Sequence, residues 1–440
     1  MSQYPKPPAT PLTTFRRPFS RGSDTFDSEM TGEYEDESSK KSPEERAFVR
    51  KIDLMLMPII CTINFMQYLD KTAINYAAVL DFTEDLHMSR GQFSILASMF
   101  YVGYLAVQVP NNYFLQRFPV GKYIGTIVIT WGMLVFCSGF AQTFSQMTAL
   151  RFLLGFCEGG IYPALTLLVS TFYRRKEQAT RLGCVWLCNG LAVVIGGLAA
   201  FGIGNMDNLG VAPWRWIMFI FGAITCLVGA IAFFFLIDSP KSRYLHLNAE
   251  KEILVEDRTR DNAVVRTTVI KTAHMREALS ETRLWAFCIA SFLFNLRNGG
   301  MTIYLVQITR SFGYSKLASI LLTVPIGLGA VPTYLLLLAS ISNNVSGYTK
   351  KIFYNGVIMI AYTLGNCIGP FVMAHEFAPE YIGSFIVYTC TSALGIICLL
   401  VARWRMALVN RQRMMRVHDT VTNVEDDITD AQDPNFIYRL

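Results

Sequence analysis

Residues 151–164 read RFLLGFCEGGIYPA, an apolar run carrying an arginine and a glutamate seven positions apart. At about 3.6 residues and 5.4 Å per turn, seven positions is almost two helical turns. Arg151 and Glu158 therefore fall on nearly one face, about 10 Å apart along the axis. In a helix that crosses a bilayer each charge costs roughly 2.5–3.5 kcal/mol on insertion scales, and chains retain such residues where they face a cavity, a partner or a substrate. Whether this run crosses a membrane decides both the fold and the meaning of the two charges.

Composition answers that question. The chain has 440 residues, 52% hydrophobic and 16% charged, with a mean hydropathy of +0.34. Soluble domains average about 25% charged. Residues 1–50, 239–283 and 405–440 are polar; between them lie apolar runs of about 20 residues, the length that spans a bilayer as helix. The short alternating strands of a membrane β-barrel are absent. The net charge of +6 does not point to nucleic acid, because the basic residues cluster at the ends of apolar runs, as the positive-inside rule expects. All ten cysteines fall within apolar runs and read as small packing residues. No Cys/His spacing suggests a metal, and no GxxxxGK[ST] suggests a nucleotide, so no cofactor is expected. Residues 1–50 lack an apolar core, and the first span is expected to act as the targeting signal.

Ten spans are expected: 52–75, 92–115, 122–142, 147–173, 182–204, 215–237, 284–309, 318–341, 352–374 and 382–404. Arg117, Lys122, Arg174, Arg175, Lys176, Arg181, Lys350, Lys351, Arg403 and Arg405 fall on one side of such an arrangement. The opposite loops are poor in cations, so both termini are expected in the cytoplasm. The expected organisation is a disordered cytoplasmic tail (1–50), a six-helix bundle (51–238), a cytoplasmic linker (239–283), a shortened bundle of about four helices (284–404) and a second tail (405–440). Within the linker, SRYLHLNAEKEILVEDRTRDN reads as an amphipathic surface helix. Secondary transporters are often built from two similar halves. Here 52–238 holds 187 residues and 284–404 holds 121, a shortfall of 66, close to two helices with their connections.

Several stretches carry a more specific likeness: YLDKTAINYA (68–77), QVPNN (108–112), the 151–164 run, SNNVSGYTKK (342–351) and GNCIGPFVMAHEFAPEYIG (365–383). Together they resemble the major facilitator superfamily in its anion:cation symporter branch, and within it the fungal allantoate permease family, which includes nicotinate, pantothenate and biotin permeases. The likeness covers roughly 50–405. It implies an all-α polytopic membrane protein of two bundles, here with about ten transmembrane helices (6 + 4) instead of twelve. SILLTVPIG (319–327) resembles the start of family helix 8, and VPTYLLLLASISNN (331–344) the second half of family helix 10. The chain passes from one to the other near 327–331. Both family helices run in the same direction, so the fusion keeps the downstream topology.

Each candidate residue carries two readings. Arg151 is a site for a substrate carboxylate, through its planar bidentate fork, or a structural ion pair. Glu158 is the proton-coupling candidate that the resemblance implies, since a carboxyl in a bundle interior can take up and release a proton across the cycle, or it is paired permanently with Arg151 or Lys71. Asp70 and Lys71 are adjacent and point to different sides of their helix. Asp70 pairs between helices or joins the proton path while Lys71 reaches a cavity, or both sit hydrated at the outer edge. Where the family follows this pair with Asn-Ile-Gly-Asn, this chain has Ala73-Ile74-Asn75-Tyr76. Gln108 stands where the family commonly has a titratable Glu. Arg297, beside Asn295, is a second anion contact or a structural pair. Tyr162 and Asn366 are ligand hydrogen-bonders or packing residues, next to Pro163 and Pro370, which are expected to kink their helices.

The function this implies is a plasma-membrane secondary transporter, monomeric, that moves a small organic anion (a carboxylate, a vitamin or an allantoate-like molecule) with protons by alternating access. Its partners are that anion, protons and the lipid bilayer. Efflux of a metabolite fits the same residues. A third reading, motivated by the short second half, is a non-transporting form acting as a sensor or interaction protein. No nucleophile–base pair suggests an enzyme.

Overall fold

In the computed structural model the described residues are 43–206, 210–240, 271–322, 344–373, 381–415 and 428–439 without 435, plus residues 242, 252, 255 and 340. The structure of this part is helical. In chain order, α1 is Pro43–Ala77, α2 Phe82–Asp85, α3 Arg90–Arg117, α4 Val120–Ser138, α5 Phe144–Glu158, α6 Ile161–Phe172, α7 Arg175–Gly204 and α8 Pro213–Phe235. Then come α9 Thr272–Ser280, α10 Thr282–Ser311, α11 Lys316–Leu321, α12 Tyr348–Val372 and α13 Ile382–Met414. The chain divides into two units, residues 1–50 and residues 51–440.

Nine of the ten expected spans coincide with long helices, α5 and α6 making up one of them. Residues 323–339 and 341 of the remaining span, 318–341, lie outside the described residues, as does the junction near 327–331. So does nearly all of the expected surface helix at 242–262. Among the described residues seven helical stretches, α5 with α6 counting as one, are long and apolar enough to cross a membrane. The helices α3 and α10 have 28 and 30 residues but are more polar, because each turns one face to the opposite bundle. The lipid-facing pattern is clear on α8, where Ile224, Leu227, Ile231 and Phe234 are exposed at helical spacing, the stripe an apolar solvent demands.

Local chemistry starts and stops these helices. Ser89 and Gln92 make a reciprocal capping box on α3, with Ser89 N–H donating to Gln92 Oε1 (2.8 Å). Glu177 accepts from the Arg174 amide (3.2 Å) at the head of α7, which lets that helix begin seven residues before the expected 182. The most extensive pairings are α4 with α8, α10 with α12, and α3 with α5. The α3–α5 crossing depends on missing side chains. A Cβ on Gly155 would lie 1.8 Å from the Phe100 carbonyl oxygen, and one on Gly103 2.1 Å from that of Phe152. Such small residues allow backbones to approach closely in membranes.

Several polar contacts between 51–238 and the second bundle lie toward one end, the end of the 78–89 loop. Ser94 Oγ and Tyr304 OH lie 2.6 Å apart, Ser98 Oγ donates to the Cys367 carbonyl (2.6 Å), and the Val306 amide donates to Asn75 Oδ1 (3.2 Å). Lys316 pairs with Asp81 at 2.5 Å.

Two expected boundaries differ. The end of the linker is helix α9, with His274 and Ala278 buried. The last helix runs past Arg405 to Met414, and residues 428–439 pack against the second bundle instead of trailing from it.

Gly155→Leu should remove the α3–α5 crossing and cost well over the about 1–3 kcal/mol typical of overpacking, since the obstructing atom is backbone. Gly183→Ala, with open space around it, should leave the melting temperature in detergent unchanged; equal melting of both variants would refute the crossing.

Candidate substrate site

The charged run of 151–164 is interrupted as helix. Helix α5 ends at Glu158, and α6 starts at Ile161 after Gly159-Gly160. Pro163 has no N–H to give to the carbonyl four residues back, that of Gly159. The carbonyls freed at this break find donors on other helices. Gln67 Nε2 of α1 donates to the Glu158 carbonyl (3.3 Å), and Gln108 Nε2 of α3 donates to that of Gly159 (3.2 Å). A carboxylate at 108 would have no proton to give, so the glutamine supplies what the break requires. Pro163 thus accompanies a break in the span, as expected of it.

At this break lies a small cavity, lined by Gln67, Tyr68, Lys71, Phe100, Tyr101, Tyr104, Glu158, Tyr162 and Tyr362. Glu158 is 1% exposed, and neither carboxylate oxygen has a hydrogen-bond partner among the described residues. Lys71 is half-buried, its ammonium 5.0 Å from the centre of the Tyr101 ring and 5.9 Å from that of Tyr68, within cation–π range. Tyr162 stacks on Trp186 of α7, ring centres 5.1 Å apart and 8° from parallel.

Asp70, the neighbour of Lys71, points elsewhere. Its Oδ2 accepts from Trp131 Nε1 of α4 (2.6 Å) and from Thr225 Oγ1 of α8 (2.8 Å), at 1% exposure. Adjacent helical positions diverge by about 100°, which is why one of the pair ties three helices together and the other reaches the cavity. The hydrated outer-edge alternative does not describe this pair. Asp70 does not line the cavity; its contacts are interhelical.

Arg151 is buried at 4% exposure, on the α5 face that also holds Met147, Leu154, Gly155 and Glu158. It is not among the cavity-lining residues. Asn366 is fully buried one layer behind Tyr101: it accepts from Tyr101 OH (3.4 Å) and Asn298 Nδ2 (2.9 Å) and donates to Asn295 Oδ1 (3.1 Å). Arg297 is exposed. It precedes Tyr304 by seven residues, so it shares the face that α10 turns toward α3, about 10 Å farther from the Ser94 contact. The structure thus brings Lys71, Glu158 and Tyr162 together and leaves Arg151, Asp70, Asn366 and Arg297 outside the cavity wall. The aromatic wall was not anticipated. Its signal is the spacing of Tyr101 and Tyr104 on α3, at i and i+3, one helical face.

The family model described as Major Facilitator Superfamily matches residues 60–353. The chain belongs to the major facilitator superfamily. It is similar to an uncharacterized transporter of Schizosaccharomyces pombe, 28% identical across 89% of this chain and 91% of that one. It is also similar to the allantoate permease of Saccharomyces cerevisiae, 26% identical across 95% of this chain and 91% of the permease. The first alignment spans 455 positions yet takes in 89% of a 440-residue chain, about 392 residues, so roughly 60 positions have no counterpart here. Among solved structures, the xylose transporter XylE from E. coli, inward open, has a TM-score of 0.54 at 10% identity over 77% of this chain and 94% of that one. A bacterial homologue of the human lysosomal transporter Spinster has a TM-score of 0.52 at 14% identity over 85% of this chain and 86% of that one. These likenesses show the fold. The protein is a multi-pass membrane transporter of this superfamily, not an enzyme.

Gln108→Leu should leave the Gly159 carbonyl buried and unpaired, at a cost of about 1–3 kcal/mol. A lowered midpoint of thermal unfolding in detergent is the expected reading; an unchanged midpoint would show that the break needs no donor from α3.

Proposed function

We propose that this transporter carries a small organic anion together with a proton by alternating access, in the plasma membrane, with both termini cytoplasmic. The observation that carries the reading is the unpartnered carboxyl of Glu158 in one cavity with Lys71. Asp70, Lys71, Arg151 and Glu158 are two charges of each sign, so this part of the bundle is balanced. A substrate carboxylate drawn to Lys71 adds a negative charge in a low-dielectric cavity beside Glu158, whose carboxylate oxygens accept no hydrogen bond among the described residues. Uptake of a proton by Glu158 restores the balance. Anion and proton thus favour each other's binding, a coupling that is reciprocal by linkage. The tyrosines offer hydroxyls and apolar ring faces to the rest of the substrate.

With the termini inside, the polar contacts of Ser94, Ser98 and Asn75 with the second bundle lie at the outer end, and the cavity is reached from the cytoplasm. Arg297 then lines the route between the bundles on the cytoplasmic side and serves as an entry or exit contact for the anion. Arg151 balances charge from inside the bundle. The similarity to the allantoate permease supports a carboxylate-bearing substrate.

Reconstituted vesicles test this. Uptake of a carboxylate substrate such as allantoate should rise several-fold with an inward proton gradient, and Glu158→Gln should abolish that stimulation while keeping exchange of substrate across the membrane. Gradient-independent uptake by the unmodified protein, or unchanged stimulation in the variant, would sink the coupling.

The roughly 60 positions without a counterpart favour a second reading, in which this shortened form does not transport and serves as a sensor or interaction protein. Sequencing the transcript across codons 325–335 separates the two. A longer frame with two more spans removes the second reading; the junction as read here, with vesicles inert to every carboxylate offered, favours it.

A further inference from the structure

The last residues of the chain, TDAQDPNFIYRL (429–440), carry a carboxylate that is buried completely: Asp430 is 0% exposed. A charge there is retained only if it is paired and fully hydrogen-bonded. Asp430 Oδ2 lies 2.5 Å from Arg283 Nη2 and accepts from Tyr438 OH (2.7 Å). Its Oδ1 lies 2.9 Å from Lys350 Nζ and accepts from the Ser346 amide (3.2 Å). Each oxygen thus has one cation and one neutral donor. The Lys350 side chain is itself 0% exposed and also pairs with Glu277 (2.7 Å) and Glu281. Burial pushes the Asp430 carboxyl up, but the Arg283 and Lys350 charges outweigh it and hold it below the usual carboxylate range.

The flanking backbone is gripped as well. Asn410 of α13 donates to the Tyr438 carbonyl (2.8 Å) and accepts from the Tyr438 amide (2.9 Å). Asn344 does the same for Arg439, at 3.0 and 2.6 Å. Arg413 Nη2 donates to the Asp430 carbonyl (2.7 Å), and Thr429 Oγ1 donates to Glu277 of α9 (2.8 Å). The Tyr438 ring sits 4.3 Å from the Arg283 guanidinium and 5.1 Å from that of Arg413.

We propose that the end of the second bundle carries a carboxylate-binding site, built from Arg283, Lys350 and the Ser346 amide, whose ligand is Asp430 of the chain's own C-terminal segment. Binding makes residues 428–439 a strap across α9, α10, α12 and α13. Four separate helix ends then move as one body when the bundles rock. A fused tag or truncation that removes the strap takes the ligand from two buried cations.

Hydrogen exchange of the purified full-length protein in detergent tests the site, read in peptides containing Ser346, Tyr438 and Arg439. In the unmodified protein these amides should exchange about 100-fold or more slower than in an unstructured chain, as protected backbone does. Asp430→Asn should speed all three by about ten-fold or more, with the Gly121 amide, bound to Asp238 in the first bundle, unchanged as the reference for local rather than global opening. Tyr438→Phe, which removes a single hydroxyl, should give a smaller rise in the same three peptides. Unprotected amides in the unmodified protein, or exchange unaffected by both variants, would overturn the proposal. Should Asp430→Asn not survive purification, protection in the unmodified protein together with the Tyr438→Phe response decides it.

Discussion

A helix interrupted inside a membrane must find donors for the carbonyls it frees, and most of the first bundle is arranged around one such interruption. No water reaches the hydrocarbon to satisfy an open backbone group. Gly159-Gly160 and Pro163 end α5 and restart it as α6, and side chains of α1 and α3 supply the missing protons. Those two glutamine contacts tie three helices at the depth of the cavity. They also set Glu158 at the last residue of α5, where its side chain meets the cavity instead of a neighbouring helix. The close crossing of α3 over α5 at Gly103 and Gly155 brings Gln108 within reach. Packing, backbone chemistry and the site share one origin.

The two buried carboxylates Asp70 and Glu158 differ in how they are satisfied. Asp70 has two strong donors on one oxygen and knits α1 to α4 and α8. Glu158 has none on either. A buried carboxylate held by donors from two helices stiffens its surroundings; one with no donor on either oxygen, beside a lysine, is a group held ready for something that arrives. That contrast, more than the presence of charge in an apolar helix, separates scaffold from chemistry here.

The second bundle solves a different problem. The polar helix α10 faces the first bundle through Tyr304 and Val306, and α12 does so through the Cys367 and Pro370 carbonyls. At the other end, Arg283 and Lys350 are satisfied by Glu277, Glu281 and Asp430. Residues from α9 and from the end of the chain thus complete a charge cluster that the spans alone leave unbalanced.

Read alone, the residues were enough for the class of fold, because bilayer thickness sets the length of an apolar run and the positive-inside rule sets its ends. They also placed Glu158 and Lys71 among the candidates, since an ionisable residue in such a run is costly wherever it points. Direction was beyond them. Arg151 and Glu158 share a face by periodicity, yet one lies behind the wall and the other in it, and only the crossing of α3, α5 and α1 decides which. The same holds for Asp430: within a polar stretch it reads as a solvated charge, and its burial depends on partners 80 and 147 residues away. Local pattern follows from the chain's own geometry, whereas satisfaction of a buried polar group depends on what long-range packing brings beside it.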